Sequence, residues 1–386
     1  MARWERATLP VFGLLLAGCS NSFAGGGVGQ GAPRDLTRDD ASVITPVDPI
    51  APITVTTLPP AAALDQVAAV LANTAVVDPD LEPGLRTERL NQWRRDRADQ
   101  CLTITETPNS DDERELAGIR RELLQAPLGH RLVASLAETS TTICVPEAGD
   151  GEELFDRPID ALGYQISHLQ AVVMNQDLKQ GRRVFVAAHE LRHSWQGKQI
   201  AGFSSLSVAQ PYDVAVSFIK EADANAYAVA TAWQLRTAGQ PAAWNAARRS
   251  SFYGPSAHEF RQAVQSFQKQ NPGASATGDR AIQAGMRAAF LSWLNTDKVR
   301  DNYVEQALNN REKYADNWHG TGEIPPDVAA RLGQLPYPER GSPRSYLQPA
   351  DIGLAVTLAS HIAPATDRQP RPDAPAAQLA ILPGPR

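Results

Sequence analysis

The sequence has no surplus of positive charge. Its 37 Lys and Arg stand against 43 Asp and Glu, a formal net charge of −6, and no Lys/Arg run is interleaved with aromatic residues. Nothing here favours contact with a phosphate backbone, which argues against a nucleic-acid partner. Long apolar runs are also missing: no stretch reaches the about 18 consecutive residues that a membrane-crossing helix requires. No GxSxG turn, phosphate-binding loop or dinucleotide-binding glycine fingerprint occurs in a strand-to-helix setting. Cysteine is scarce, with three in 386 residues, and neither Ser nor Cys makes a case for a nucleophile. No internal repeat is visible.

Present instead is a globular composition. Apolar residues make up 42% of the chain, enough to bury a sizeable core in one large domain or two smaller ones. The chain is organised around a helix starting near Arg183 that carries His189, Glu190, Leu191, Arg192 and His193. Residues four apart lie about 40° apart around a helix and one turn apart along it, so both imidazoles can grip one ion with Glu190 beside it. With seven His in the chain, an H-E-x-x-H match arises by chance less than about once in a hundred such sequences.

Two His do not complete a catalytic metal site; a third protein ligand and an open position for water are expected. Glu221, 28 residues after His193 on the next strong helix, is the best candidate. Asp223 is the rival, but it lies about 200° around the helix from Glu221, so both cannot face one ion. Asn225, four residues after Glu221, shares its face and can hydrogen-bond the far ring nitrogen of a ligating His, fixing its tautomer. The bland alternative is an Ala-rich core helix with an exposed acidic end. Arg192 can hold a substrate carboxylate or pair with a surface acid, and the surface pair is preferred. His130, His168, His258, His319 and His361 occur in unrelated contexts and are read as surface or core residues. Tyr212, Tyr227 and Tyr253 are candidate oxyanion donors, with nothing to choose among them.

His189–Gln196 (HELRHSWQ) followed by EADANAYA from Glu221 resembles the gluzincin group of metallopeptidases, and more closely a set of bacterial metallopeptidases. The resemblance covers roughly residues 141–235. It implies an α+β, mostly helical zincin-like domain with a small sheet packed against the HExxH helix. It also implies Zn²⁺ held by His189, His193 and Glu221, with Glu190 as general base on metal-bound water. In that group the fourth residue after the Glu is commonly Asp; here it is the neutral Asn225. The competing expectation is an inactive zincin-like lipoprotein that binds an envelope partner. A zinc amidase acting on cell-wall peptide would share the site and differ in substrate.

At the N-terminus, Arg3 and Arg6 precede an apolar run that ends Leu16, Ala17, Gly18, Cys19. This ending resembles the bacterial lipobox. It implies a signal peptide over 1–18, lipidation of Cys19 and a membrane anchor, with Ser20 pointing to the outer membrane; an ordinary cleaved signal is the other reading. The implied address is the bacterial envelope, facing the periplasm, with a peptide or protein substrate there. Setting Cys19 aside for lipid leaves Cys101 and Cys144 as an even pair in an oxidising compartment, either disulfide-bonded, which is preferred, or two buried thiols.

Residues 19–60, rich in Gly, Pro, Thr and Ser, read as a flexible tether, 61–362 as the catalytic domain with helical additions, and the Pro-rich 363–386 as a disordered tail. Helices are expected over 61–72, 85–99, 111–137, from 183 onward, and over 213–237, 256–270, 279–294, 297–314, 326–332 and 351–362. Strands are expected over 141–145, near 163–164 and over 171–174.

Overall fold

The computed structural model describes residues 100–145, 162–166, 170–201, 203, 207–296, 303, 320, 322–336 and 345–362. The expected signal peptide, the lipidation site Cys19, the tether, the tail and the helices at 61–72, 85–99 and 297–314 lie outside these, apart from Tyr303. What is described is α+β and mostly helical. Strands β1 (Cys101–Thr103), β2 (Thr142–Cys144), β3 (Gly163–Ile166) and β4 (Ala171–Met174) form one sheet in the order β1-β2-β4-β3. The outer pairs are antiparallel and β2–β4 is parallel.

Between β1 and β2 lie α1 (Asp111–Leu123) and α2 (Pro127–Leu136), where the sequence predicts one helix over 111–137. Pro127 explains the difference. Its ring forces Ala126 to an extended backbone (ψ 129°), and Pro127 itself opens the next helix, where a missing N–H costs nothing. Helix α1 begins with a capping box, Ser110 Oγ accepting from the Glu113 N–H while the Glu113 carboxylate accepts from the Ser110 N–H. β1 is not among the expected strands. Cys101 stands opposite Cys144 in the register, and a disulfide joins them.

After β4 the chain forms α3 (Gln180–Gln199), α4 (Gln210–Thr237), α5 (Ala242–Arg249), α6 (Gly254–Gln270), α7 (Asp279–Leu294), α8 (Pro326–Leu332) and α9 (Pro349–Ile362). The last four match the expected spans to within two residues at each end, whereas α5, only eight residues long, is not among the expected helices. α3 starts three residues earlier than expected. Its inner stripe, Val184, Ala187, Ala188, Leu191 and Trp195, recurs at three- and four-residue steps and is buried.

α3 and α4 are the centre of the molecule. α4 is buried on nearly every side from Gln210 to Leu235, and the alanines at 222, 224, 226, 228 and 230 leave no side-chain bulk to hold neighbours away. α3, α7 and α9 pack on it, and α3 in turn carries the sheet and α5. Around this pair sit Phe185, Phe218, Trp233, Trp244, Phe260, Phe290 and Trp293, all buried. β3, at one edge of the sheet, lies directly on α3. A Cβ at Gly163 would stand 2.5 Å from Val186 Cγ1 and 3.4 Å from Glu190 Cγ, so only glycine allows this approach.

Candidate metal centre

One turn of α3 separates His189 from His193, and their Nε2 atoms lie 3.1 Å apart with the rings edge to face. Glu221 projects from α4 toward both: one carboxylate oxygen lies 3.3 Å from His189 Nε2 and the other 3.4 Å from His193 Nε2. Two ligands about 2.0–2.1 Å from a tetrahedral ion stand about 3.3 Å from each other. The three side chains therefore converge at the spacing of one tetrahedral coordination shell, and among the described residues they form the one His/Cys/Asp/Glu group that could hold an ion. Their donor set, two imidazoles and a carboxylate, suits a borderline cation such as zinc. All three are buried, and Glu221 Oε2 has no hydrogen-bond donor among the described residues. A carboxylate oxygen left unpaired inside a protein is costly unless a cation completes it.

The electrostatics agree. Burial alone would raise the Glu221 carboxyl, but the imidazoles, His193 foremost, outweigh it and hold the group below the ordinary range. Glu190 goes the other way: burial pushes its carboxyl up to about 8, with His189 opposing and Glu221 adding to the rise. Two buried carboxylates that feel each other's charge are thus driven in opposite directions, one toward a fixed negative charge and one toward proton exchange near neutrality.

Asp223 does not face this cluster. Its carboxylate accepts from Arg192 Nε at 2.7 Å and Nη2 at 3.1 Å, from Tyr346 Oη at 2.7 Å and from Gln196 Nε2 at 2.6 Å. The angular argument that separates it from Glu221 matches where it points. Arg192 is not at the surface, contrary to the preferred expectation. It has no exposed area, stacks over the rings of Trp195 and Tyr227, and donates to the carbonyls of Leu332 and Gln334. Counting Arg as a surface residue was the error, since a guanidinium goes inside when a carboxylate and carbonyls meet its donors.

Asn225 makes a different contact from the one expected. Its Nδ2 donates to Ser256 Oγ at 2.8 Å, while Oδ1 and His189 Nδ1 both lack a hydrogen bond among the described residues. The residue that reaches one of the candidate ligand rings is Gln196, whose Oε1 lies 2.8 Å from His193 Nδ1. Its spacing, three residues after His193 on the same helix, was the available signal.

Of the three tyrosines, Tyr227 donates to Leu128 O, and the Tyr212 phenol is raised by partial burial and then by Glu323, which it faces. Tyr253 packs on Phe185 with its ring 6.4 Å from that of His189. His130, His258 and His361 are exposed, and His168 and His319 lie outside the described residues.

A family described as "Putative metallopeptidase family (DUF6782)" matches residues 94–340 of this chain. The chain belongs to that family. Its class is therefore metallopeptidase, a hydrolase that works with a metal. The matched span contains His189, Glu190, His193 and Glu221 and stops short of Tyr346 and α9. No curated protein and no solved structure matches the chain.

Proposed function

We propose that this metallopeptidase is a zinc enzyme of the HExxH, gluzincin type that hydrolyses peptide bonds, with His189, His193 and Glu221 as ligands. The observation that carries the reading is the convergence of the three side chains: the two Nε2 atoms lie 3.1 Å apart, and one Glu221 oxygen lies 3.3 Å from the first while the other lies 3.4 Å from the second. A zinc ion there would supply a Lewis acid that brings water toward ionisation and polarises the scissile carbonyl. Glu190 takes the proton of the attacking water on its carboxylate and delivers it to the leaving amine. Burial raises this carboxyl, so in its ionised form, which the neighbouring cation would favour, it is a stronger base than an ordinary carboxylate and a competent acid afterwards. Close packing of α3, α4 and β3 around these groups keeps bulk water away and strengthens each electrostatic contact.

Substrate and address belong to the same proposal. The Leu16-Ala17-Gly18-Cys19 ending supports a lipid anchor on Cys19, which would hold the enzyme in the bacterial envelope, facing peptide or protein substrates there. Two measurements test the whole. Elemental analysis of the purified chain should find about one zinc per molecule, and cleavage of a fluorogenic peptide mixture should stop with chelator and return with zinc. Metal-free protein whose stability ignores chelator would overturn the reading in favour of an envelope-binding protein. Membrane fractionation of Cys19→Ala tests the anchor, which predicts release into the soluble fraction.

A further inference from the structure

Gln196 has no exposed surface. A carboxamide has a donor end and an acceptor end, and its surroundings decide which way round it sits. Here Nε2 lies 2.9 Å from the Lys220 carbonyl and 2.6 Å from Asp223 Oδ2. Both are acceptors, so the NH2 group must face them and Oε1 must face His193 Nδ1, 2.8 Å away. An amide oxygen only accepts. His193 Nδ1 therefore carries the proton, and the lone pair of the neutral ring is on Nε2, the atom turned toward His189 and Glu221.

The acceptor behind Gln196 is itself immobile. Asp223 is gripped by two donors of Arg192 and by Tyr346, and Arg192 is sandwiched against Trp195 and tied to Leu332 O and Gln334 O. The support is one-sided, because His189 Nδ1 has no such partner.

Resting on the reading of His193 as a metal ligand, we propose that Gln196 is the positioning residue of the metal centre. It fixes the tautomer and the tilt of His193, and the buried Asp223–Arg192–Tyr346 cluster fixes Gln196. Side chains that orient a metal-binding ring are typically worth 10–100-fold in metal affinity.

The test uses the full chain with ¹⁵N-labelled histidine, stripped of metal. Long-range ¹H–¹⁵N spectra should show His193, identified by its loss in His193→Ala, with its proton on Nδ1. Gln196→Met, similar in length but with neither donor nor acceptor at its end, should give a mixture of tautomers. Its zinc affinity, by competition with a chromophoric chelator, should fall about 10–100-fold. Gln196→Ala, which removes both ends of the carboxamide without setting a new acceptor against Asp223 Oδ2 and Lys220 O, serves as the test if the Met variant does not fold, with the same tautomer mixture and loss of zinc affinity expected. A wild-type ring protonated on Nε2, or a Met variant binding zinc within about twofold of wild type, overturns the proposal. Failure of the metal-centre reading looks different: wild type then takes up no zinc, and the tautomer spectra alone decide the role of Gln196.

Discussion

Arg192 and Asp223 meet through two parallel hydrogen bonds, 2.7 and 3.1 Å long, with neither side chain exposed to solvent. Two charges out of water are stable only as a pair, so removing one leaves the other stranded. Arg192→Met should lower unfolding stability by about 3–5 kcal/mol in chemical denaturation. Adding Asp223→Leu should recover part of that loss, because the orphaned carboxylate goes too. A single variant within about 1 kcal/mol of wild type would contradict this account.

Glu221→Ala should abolish zinc binding more severely than the roughly 10–100-fold ascribed to supporting residues. Removing a ligand takes away one of three protein bonds to the ion, and two histidines on one turn make a weak chelate. Equilibrium dialysis with zinc decides it; unchanged affinity would transfer the third position to another side chain.

Glu190→Gln separates holding the metal from using it. Glu190 lies beside the three converging atoms, so the variant should bind zinc normally. Peptide hydrolysis should drop about 10²–10⁴-fold, the usual contribution of a positioned base. Equal loss of metal and of turnover would recast Glu190 as a ligand.

Fold class and the two histidines were legible because both depend on local periodicity. The i, i+4 rule places His189 and His193 on one face without knowledge of tertiary structure. The same geometry shows that Glu221 and Asp223 cannot share a target. What was not legible is which neighbour fills each remaining hydrogen bond. Asn225 and Gln196 are both carboxamides one turn from a candidate ligand, and only packing between α3, α4 and α6 sends one to Ser256 and the other to His193. Arg192 was misjudged because its partners lie up to 142 residues away, beyond any local pattern. The break at Pro127, by contrast, was available from sequence and was outweighed by the regular spacing of Leu116, Ile119, Leu123 and Leu124.

Reduction of the Cys101–Cys144 bridge should destabilise the domain. The cysteines are 43 residues apart, and opening a loop of that length returns about 4 kcal/mol of chain entropy to the unfolded state. Thermal unfolding with and without dithiothreitol measures it. Because β1 is only three residues long, the drop should be accompanied by loss of hydrogen-exchange protection at Leu102 and Thr103.

Gly163→Ala pushes a methyl against Val186 Cγ1, with Glu190 just beyond. Overpacking of this kind costs about 1–3 kcal/mol. A strand shifted away from α3 also moves the wall beside the base, so turnover should fall while zinc content stays at wild-type level. Full activity with unchanged melting temperature would show that β3 has slack.

The guanidinium of Arg192 finds its last acceptors 140 and 142 residues downstream, at Leu332 and Gln334. During synthesis those carbonyls leave the ribosome long after the paired histidines do. Closure of the buried Arg192–Asp223 cluster therefore waits for the C-terminal part of the domain, and a chain cut short before Leu332 would leave the arginine's outer edge with no carbonyl to close on.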